Sequence, residues 1–110
     1  MSHSVVYLSK EEDFHAFLKE NEAVLVVIDF FATWCGPCKN IAPKIEELST
    51  SMTNVKFAKV DVDDSAMGKI VENYGITSLP TFVLIKDKKI VEQFPGANIE
   101  KLKEAIFKAL

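Results

Sequence analysis

The stretch that most restricts the fold is Val24 to Phe31, a near-continuous run of β-branched, aliphatic and aromatic residues broken only by Asp29. A strand exposed on one face alternates apolar with polar residues. A strand apolar on both sides belongs in the middle of a parallel sheet, covered by helices above and below. The run ends at Trp34-Cys35-Gly36-Pro37-Cys38, which holds the only tryptophan and the only two cysteines of the chain. Behind it, Ile41, Ile45, Leu48 and Met52 recur at helical spacing, so a helix is expected from near Cys35 to about Ser51, with Pro43 kinking it.

The other segments complete an alternating pattern. Val5 to Leu8 reads as a strand, and Ser9 with Glu12 forms a capping box ahead of a helix from about Lys10 to Glu20, with Phe14, Phe17 and Leu18 on one face. Val55 to Val62 is a further strand. Met67, Ile70, Val71 and Tyr74 mark a third helix closed by Gly75. Thr81–Ile85 and Ile90–Phe94 form an antiparallel hairpin around Lys86-Asp87-Lys88-Lys89, a turn without the Asn-Gly signal, so its type stays open. Asn98 caps a last helix carrying Ile99, Leu102, Ala105, Ile106 and Ala109. The order βαβαβαββα specifies an α/β sandwich, and 110 residues give a single domain over 1–110 with no repeat or linker.

Composition narrows the chemistry. All thirteen basic residues are lysines and the net charge is −3, so there is no arginine fork for guanine or phosphate and no reason to expect nucleic-acid binding. No apolar stretch is long enough to span a bilayer, and Met1-Ser2-His3-Ser4 lacks the basic and apolar regions of an export signal. The two cysteines are too close to form a structural framework, since closing so short a loop removes little unfolded-state entropy. Their spacing fits redox or metal chemistry. Zinc needs two more ligands, and His3 and His15 stand well before the motif without ligand spacing. Haem attachment needs histidine at position 39, which is Lys39. A thiol–disulfide redox centre is therefore the expectation.

At a strand-to-helix junction Cys35 meets the unpaired amides and the macrodipole of a helix N-terminus, which favour a thiolate. Cys38, one turn in, should be more buried and placed to resolve a mixed disulfide. Gly36 gives the first turn latitude to bring the sulfurs together, and Pro37 costs nothing where amides have no intrahelical partner. Asp29 is the second anomaly, because a carboxylate inside a central strand is desolvated and its pKa should rise toward the range useful for proton transfer. Lys59, on the matching face of the next strand, is its expected partner. Asp61, Asp63, Ser65 and Glu72 imitate a calcium loop, but Ala66 stands where the glycine is needed, so they read as caps and solvated charges. The lysines around Asp87 guard an edge. Leu79-Pro80 reads as trans by frequency.

Four motifs in order resemble the thioredoxin family: Val27 to Lys39, Lys59-Val60-Asp61-Val62-Asp63, Leu79-Pro80-Thr81-Phe82 and Gly96-Ala97-Asn98. The resemblance spans nearly the whole chain. It implies the thioredoxin fold, a central five-stranded mixed sheet flanked by four helices, and a general protein-disulfide reductase without a bound cofactor. NADPH would keep it reduced through a thioredoxin reductase. It also implies Cys35 as nucleophile, Cys38 as resolving thiol and the two as a redox disulfide, with Asp29 accepting the Cys38 proton. A cis bond at Leu79-Pro80 follows, and a docking surface of Trp34, Gly36, Pro37, Leu79, Pro80, Gly96 and Ala97. The implied partners are disulfide-containing proteins of the peroxiredoxin or reductase type. Gly36-Pro37 favours a reductant over the oxidants and isomerases of this fold. Phe31 replaces a tryptophan common in the family, the missing extra cysteines remove any case for a disulfide-linked dimer, and a monomer is expected. The implied location is cytoplasmic.

Overall fold

A computed structural model describes residues 4–110, so the expectations resting on Met1, Ser2 and His3 lie outside the described residues. The elements run β1 (Val5–Tyr7), α1 (Glu11–Glu20), β2 (Leu25–Phe31), α2 (Gly36–Ser51), β3 (Val55–Asp61), a 3-10 turn (Ser65–Met67), α3 (Gly68–Asn73), β4 (Thr81–Lys86), β5 (Lys89–Pro95) and α4 (Ile99–Ala109). The expected element order is what forms. The sheet order is β1-β3-β2-β4-β5, with β1, β3 and β2 parallel and β4 and β5 antiparallel to their neighbours. This is the five-stranded mixed sheet with four helices.

β2 holds the centre, and its alternation feeds two apolar layers. Leu25 and Val27 pack with Ile41, Ile45 and Leu48 of α2 and Leu102 and Ile106 of α4. Val26, Ile28 and Phe30 pack on the other side with Phe14 and Leu18 of α1, Met67 of the 3-10 turn and Ile70 of α3. Burying these large side chains on both faces fixes the register of β2, because a slip of one residue would exchange the layers. Asp29 is therefore held in place by its neighbours.

Local details depart from expectation in two places. The Ser9–Glu12 capping box does not form: Lys10 is the N-cap of α1 and no side chain caps it. The acidic first turn, Glu11, Glu12 and Asp13, faces the helix dipole instead. Met67 ends the 3-10 turn rather than opening α3, whereas Gly75 has the left-handed φ of +62° expected after a helix. Pro43 lies inside α2, which runs unbroken through it.

The hairpin turn is Asp87-Lys88, both with left-handed φ (54° and 65°), between the paired residues Lys86 and Lys89. That is the type I′ geometry that matches strand twist, made here without the usual glycine. A lysine there carries a left-handed cost of about 1–2 kcal/mol. Glycine removes that cost and gives back part of it as unfolded-state entropy, about 0.5–1 kcal/mol. Lys88 also pairs with Glu22 at 3.6 Å, but both side chains are largely in water and such pairs contribute little. Lys88→Gly should therefore stabilise the fold by about 0.5 kcal/mol, read as a higher denaturant midpoint. An unchanged or lower midpoint would refute this.

Candidate active site

β2 ends at Phe31, and the chain turns through Ala32-Thr33-Trp34, with the Cys35 amide donating to the Ala32 carbonyl at 3.2 Å. Cys35 is the N-cap of α2, in extended conformation at φ −80° and ψ 109°. Its Sγ accepts a hydrogen bond from the Cys38 amide at 3.2 Å, so sulfur fills the place usually taken by a serine or aspartate oxygen. The two cysteines form a disulfide, with Cα atoms 5.3 Å apart. Cys35 itself supplies the adjustment expected of Gly36: its extended backbone moves the first sulfur off the helical path. Gly36 has no left-handed φ, and a Cβ there would meet nothing within 4 Å. Pro37 occupies the second helical position, as expected.

The greater burial expected for Cys38 is not found, since each cysteine is 4% exposed. What separates them is the space that each lines. Cys35 borders an open cleft of about 520 Å³ together with Trp34, Gly36, Pro37 and Leu79. Cys38 borders a second space of about 290 Å³, shared with Asp29, Phe31 and Lys59. Val62, Val71, Ile76 and Thr77 complete the outer cleft. These four were absent from the sequence-derived surface, and nothing in their local pattern distinguishes them from core or loop positions.

Trp34 is 68% exposed, yet its indole is fixed: Nε1 donates to Asp63 Oδ2 at 2.6 Å. This contact spans 29 positions and had no sequence signal. The other acidic groups nearby serve the backbone, with Asp61 Oδ1 accepting from the Asp63 amide and Asp64 Oδ1 from the Ala66 amide. Among the described residues no group of three or more His, Cys, Asp or Glu side chains is placed to hold a metal.

The bond at Leu79-Pro80 is cis. The Pro80 carbonyl accepts from the Gly96 amide at 2.8 Å, which ties the two loops together. Gly96 has φ +106°, a conformation that glycine alone adopts readily. Leu79 packs against the cysteines, while Pro80 is buried. Ala97 lies across a smaller cleft from Pro37, beside Asn40 and Lys44. Pro37 lines both clefts, with Trp34, Gly36 and Leu79 on the outer one and Ala97 on the smaller one.

Asp29 is 6% exposed, and its Oδ1 has no hydrogen-bond partner. Burial pushes its carboxyl up to about 7, with the positive charge of Lys59 pulling the other way. Lys59 is the strand neighbour of Asp29, as expected from alternation. The expected partnership acts through its field rather than through contact: among the described residues no ion pair within 4.0 Å joins the two. The Lys59 ammonium lies over the Phe31 ring, 5.6 Å from its centroid.

The thioredoxin family model matches residues 4–108. The chain is 43% identical over 104 residues to Thioredoxin 1 of Plasmodium falciparum, covering 94% of this chain and 96% of that protein. It is 46% identical over 99 residues to Thioredoxin-2 of Pyricularia oryzae, covering 90% of this chain and 56% of that longer protein. Among solved structures, Fasciola hepatica thioredoxin superposes with a TM-score of 0.90 at 47% identity, over 94% of this chain and 98% of that one.

Proposed function

Because the chain belongs to the thioredoxin family and carries its redox-active cysteine pair, it is a thiol–disulfide oxidoreductase, and we propose a separate role for each sulfur. In the reduced protein the Cys35 thiolate attacks one sulfur of a substrate disulfide. A mixed disulfide forms and the first substrate thiolate leaves. Cys38 gives its proton to Asp29, attacks the Cys35 sulfur and expels the second substrate thiolate. The products are a reduced substrate and the Cys35–Cys38 disulfide, with two electrons transferred. Asp29 suits this step because a base whose pKa lies near the working pH accepts and returns a proton at small cost. The inner space is mostly apolar but has room for a water, and Asp29, Cys38 and Lys59 on its wall offer polar partners for one that relays the proton.

The observation that carries this reading is the division of the sulfurs, with Cys35 on the outer cleft and Cys38 on the space that holds Asp29. Trp34, Gly36, Pro37, Leu79, Pro80, Gly96 and Ala97 form the docking surface. Gly36 leaves open space beside the sulfur where a substrate backbone can approach. The substrates are disulfide-containing proteins of the peroxiredoxin or reductase type. NADPH supplies the electrons through a thioredoxin reductase, and the protein acts as a monomer, in the cytoplasm. A reducing compartment agrees with a centre that must be returned to the dithiol form after each turnover.

Insulin reduction with NADPH and a thioredoxin reductase tests the cycle. NADPH consumption should depend on this protein and vanish with Cys35→Ser. Consumption that survives the substitution would refute the assignment.

A further inference from the structure

We propose that Phe31 is a positioning residue for Asp29: its ring holds the Lys59 ammonium beside the inner space and keeps it out of contact with the carboxylate. The inference extends the proposed proton-acceptor role of Asp29 and rests on it. The register places Tyr7, Lys59, Asp29 and Phe82 in one row across β1, β3, β2 and β4. Phe31 follows two residues after Asp29 and so shares its face. In that row lysine and aspartate are nearest neighbours, and a lysine stem is long and flexible enough to bridge adjacent strands. A buried carboxylate with an unpartnered oxygen is a strong attractant for it. Yet no ion pair forms among the described residues, and the ammonium rests on the Phe31 ring.

The ring offers the cation a site that needs no full desolvation, since its face is negative while its surroundings remain partly open to water. Phe31 is in turn packed by Tyr7, with centroids 6.3 Å apart and planes at 56°. Asp61, two residues after Lys59 in β3 and the register partner of Phe31, puts a second carboxylate on that face, but among the described residues no ion pair within 4.0 Å joins it to Lys59. The titratable and charged groups facing the inner space are Cys38 and Lys39 from α2 and Lys59 from β3. β4 presents apolar Phe82 opposite Asp29, and Asp61 at the end of β3 and Asp64 beyond it act on Tyr7 of β1. Direct pairing would satisfy the carboxylate, hold it ionised and make it a weak proton acceptor. Parking the ammonium on Phe31 leaves the carboxylate attracted by the charge but unoccupied.

Carbon-detected NMR titration of the Asp29 carboxyl tests this in the oxidised protein, where neither cysteine titrates. Phe31→Leu should lower its midpoint by about one pH unit, because the released ammonium can pair with it. Phe31→Trp keeps an aromatic face and should leave the midpoint in place. In a Lys59→Met background Phe31→Leu should no longer lower it. An unchanged or raised midpoint in Phe31→Leu, or the same fall without Lys59, would overturn the proposal. In the unsubstituted protein the Lys59 ε-protons should show an upfield ring-current shift, and ordinary shifts would overturn it without any variant. The titration reads the carboxyl whether or not Asp29 takes the resolving proton, so failure of that catalytic role appears separately, in Asp29→Asn kinetics.

Discussion

Cys38→Ser will stop the reaction halfway, with substrate protein held covalently on Cys35, whereas Cys35→Ser will capture nothing. Equal burial of the two residues means that accessibility as such does not assign the roles. The assignment rests on the space that each residue lines: Cys35 the outer cleft, Cys38 the inner space that holds Asp29. The helix N-terminus adds to this, since Cys35 at the N-cap already accepts the Cys38 amide. Turnover should fall on the order of 10⁴-fold or more in either variant, because a covalent relay fails wholly when one member is lost. Non-reducing electrophoresis after mixing with a disulfide-bonded substrate separates the two outcomes. Adducts formed by Cys35→Ser and not by Cys38→Ser would reverse the roles.

The second large effect concerns Asp29 and has opposite signs for stability and for activity. Its carboxyl sits at about 7 in the folded protein, against an ordinary value of 3.8. Between those two pH values the folded state holds a proton that the unfolded state has lost. Stability therefore falls as pH rises through that window, and the loss is complete above about 7. The full span corresponds to roughly 4 kcal/mol. Asp29→Asn removes the charge, so it should be more stable than the parent at pH 8 by a few kcal/mol, with the difference shrinking toward pH 4. Denaturant titrations at the two pH values read this directly, and a pH-independent difference would sink the argument. The same substitution removes the proposed proton acceptor, so resolution of the mixed disulfide should slow about 10²-fold near neutral pH. A single-turnover rate equal to that of the parent would remove Asp29 from the mechanism.

The parts of this molecule legible in its sequence are those written in local pattern. The apolar run of β2, the helical spacing of Ile41, Ile45 and Leu48, and the position of Asp29 inside a buried strand each follow from one segment and its period. Cys35 and Cys38 were legible for the same reason, because their spacing and junction belong to one stretch. The Ser9–Glu12 box failed because Lys10 took the cap position and an acidic first turn made side-chain capping dispensable. The Asp87-Lys88 turn was obscured because strand pairing imposes left-handed geometry on residues that do not advertise it. The Trp34–Asp63 hydrogen bond and the Val62, Val71, Ile76 and Thr77 lining join segments distant in the chain. The position of the Lys59 ammonium is a choice among nearby partners, and no spacing rule encodes such a choice.

The hydrogen bond from the Cys38 amide to the Cys35 sulfur makes that one N–H an internal indicator. Its acceptor is a disulfide sulfur in the oxidised protein and a thiol or thiolate in the reduced one, and the bond strengthens as negative charge gathers on the acceptor. A single amide resonance would then follow both the electron count of the centre and the ionisation of Cys35. Charge gathering on the Cys35 sulfur would thereby reach the first turn of α2, the longest helix among the described residues.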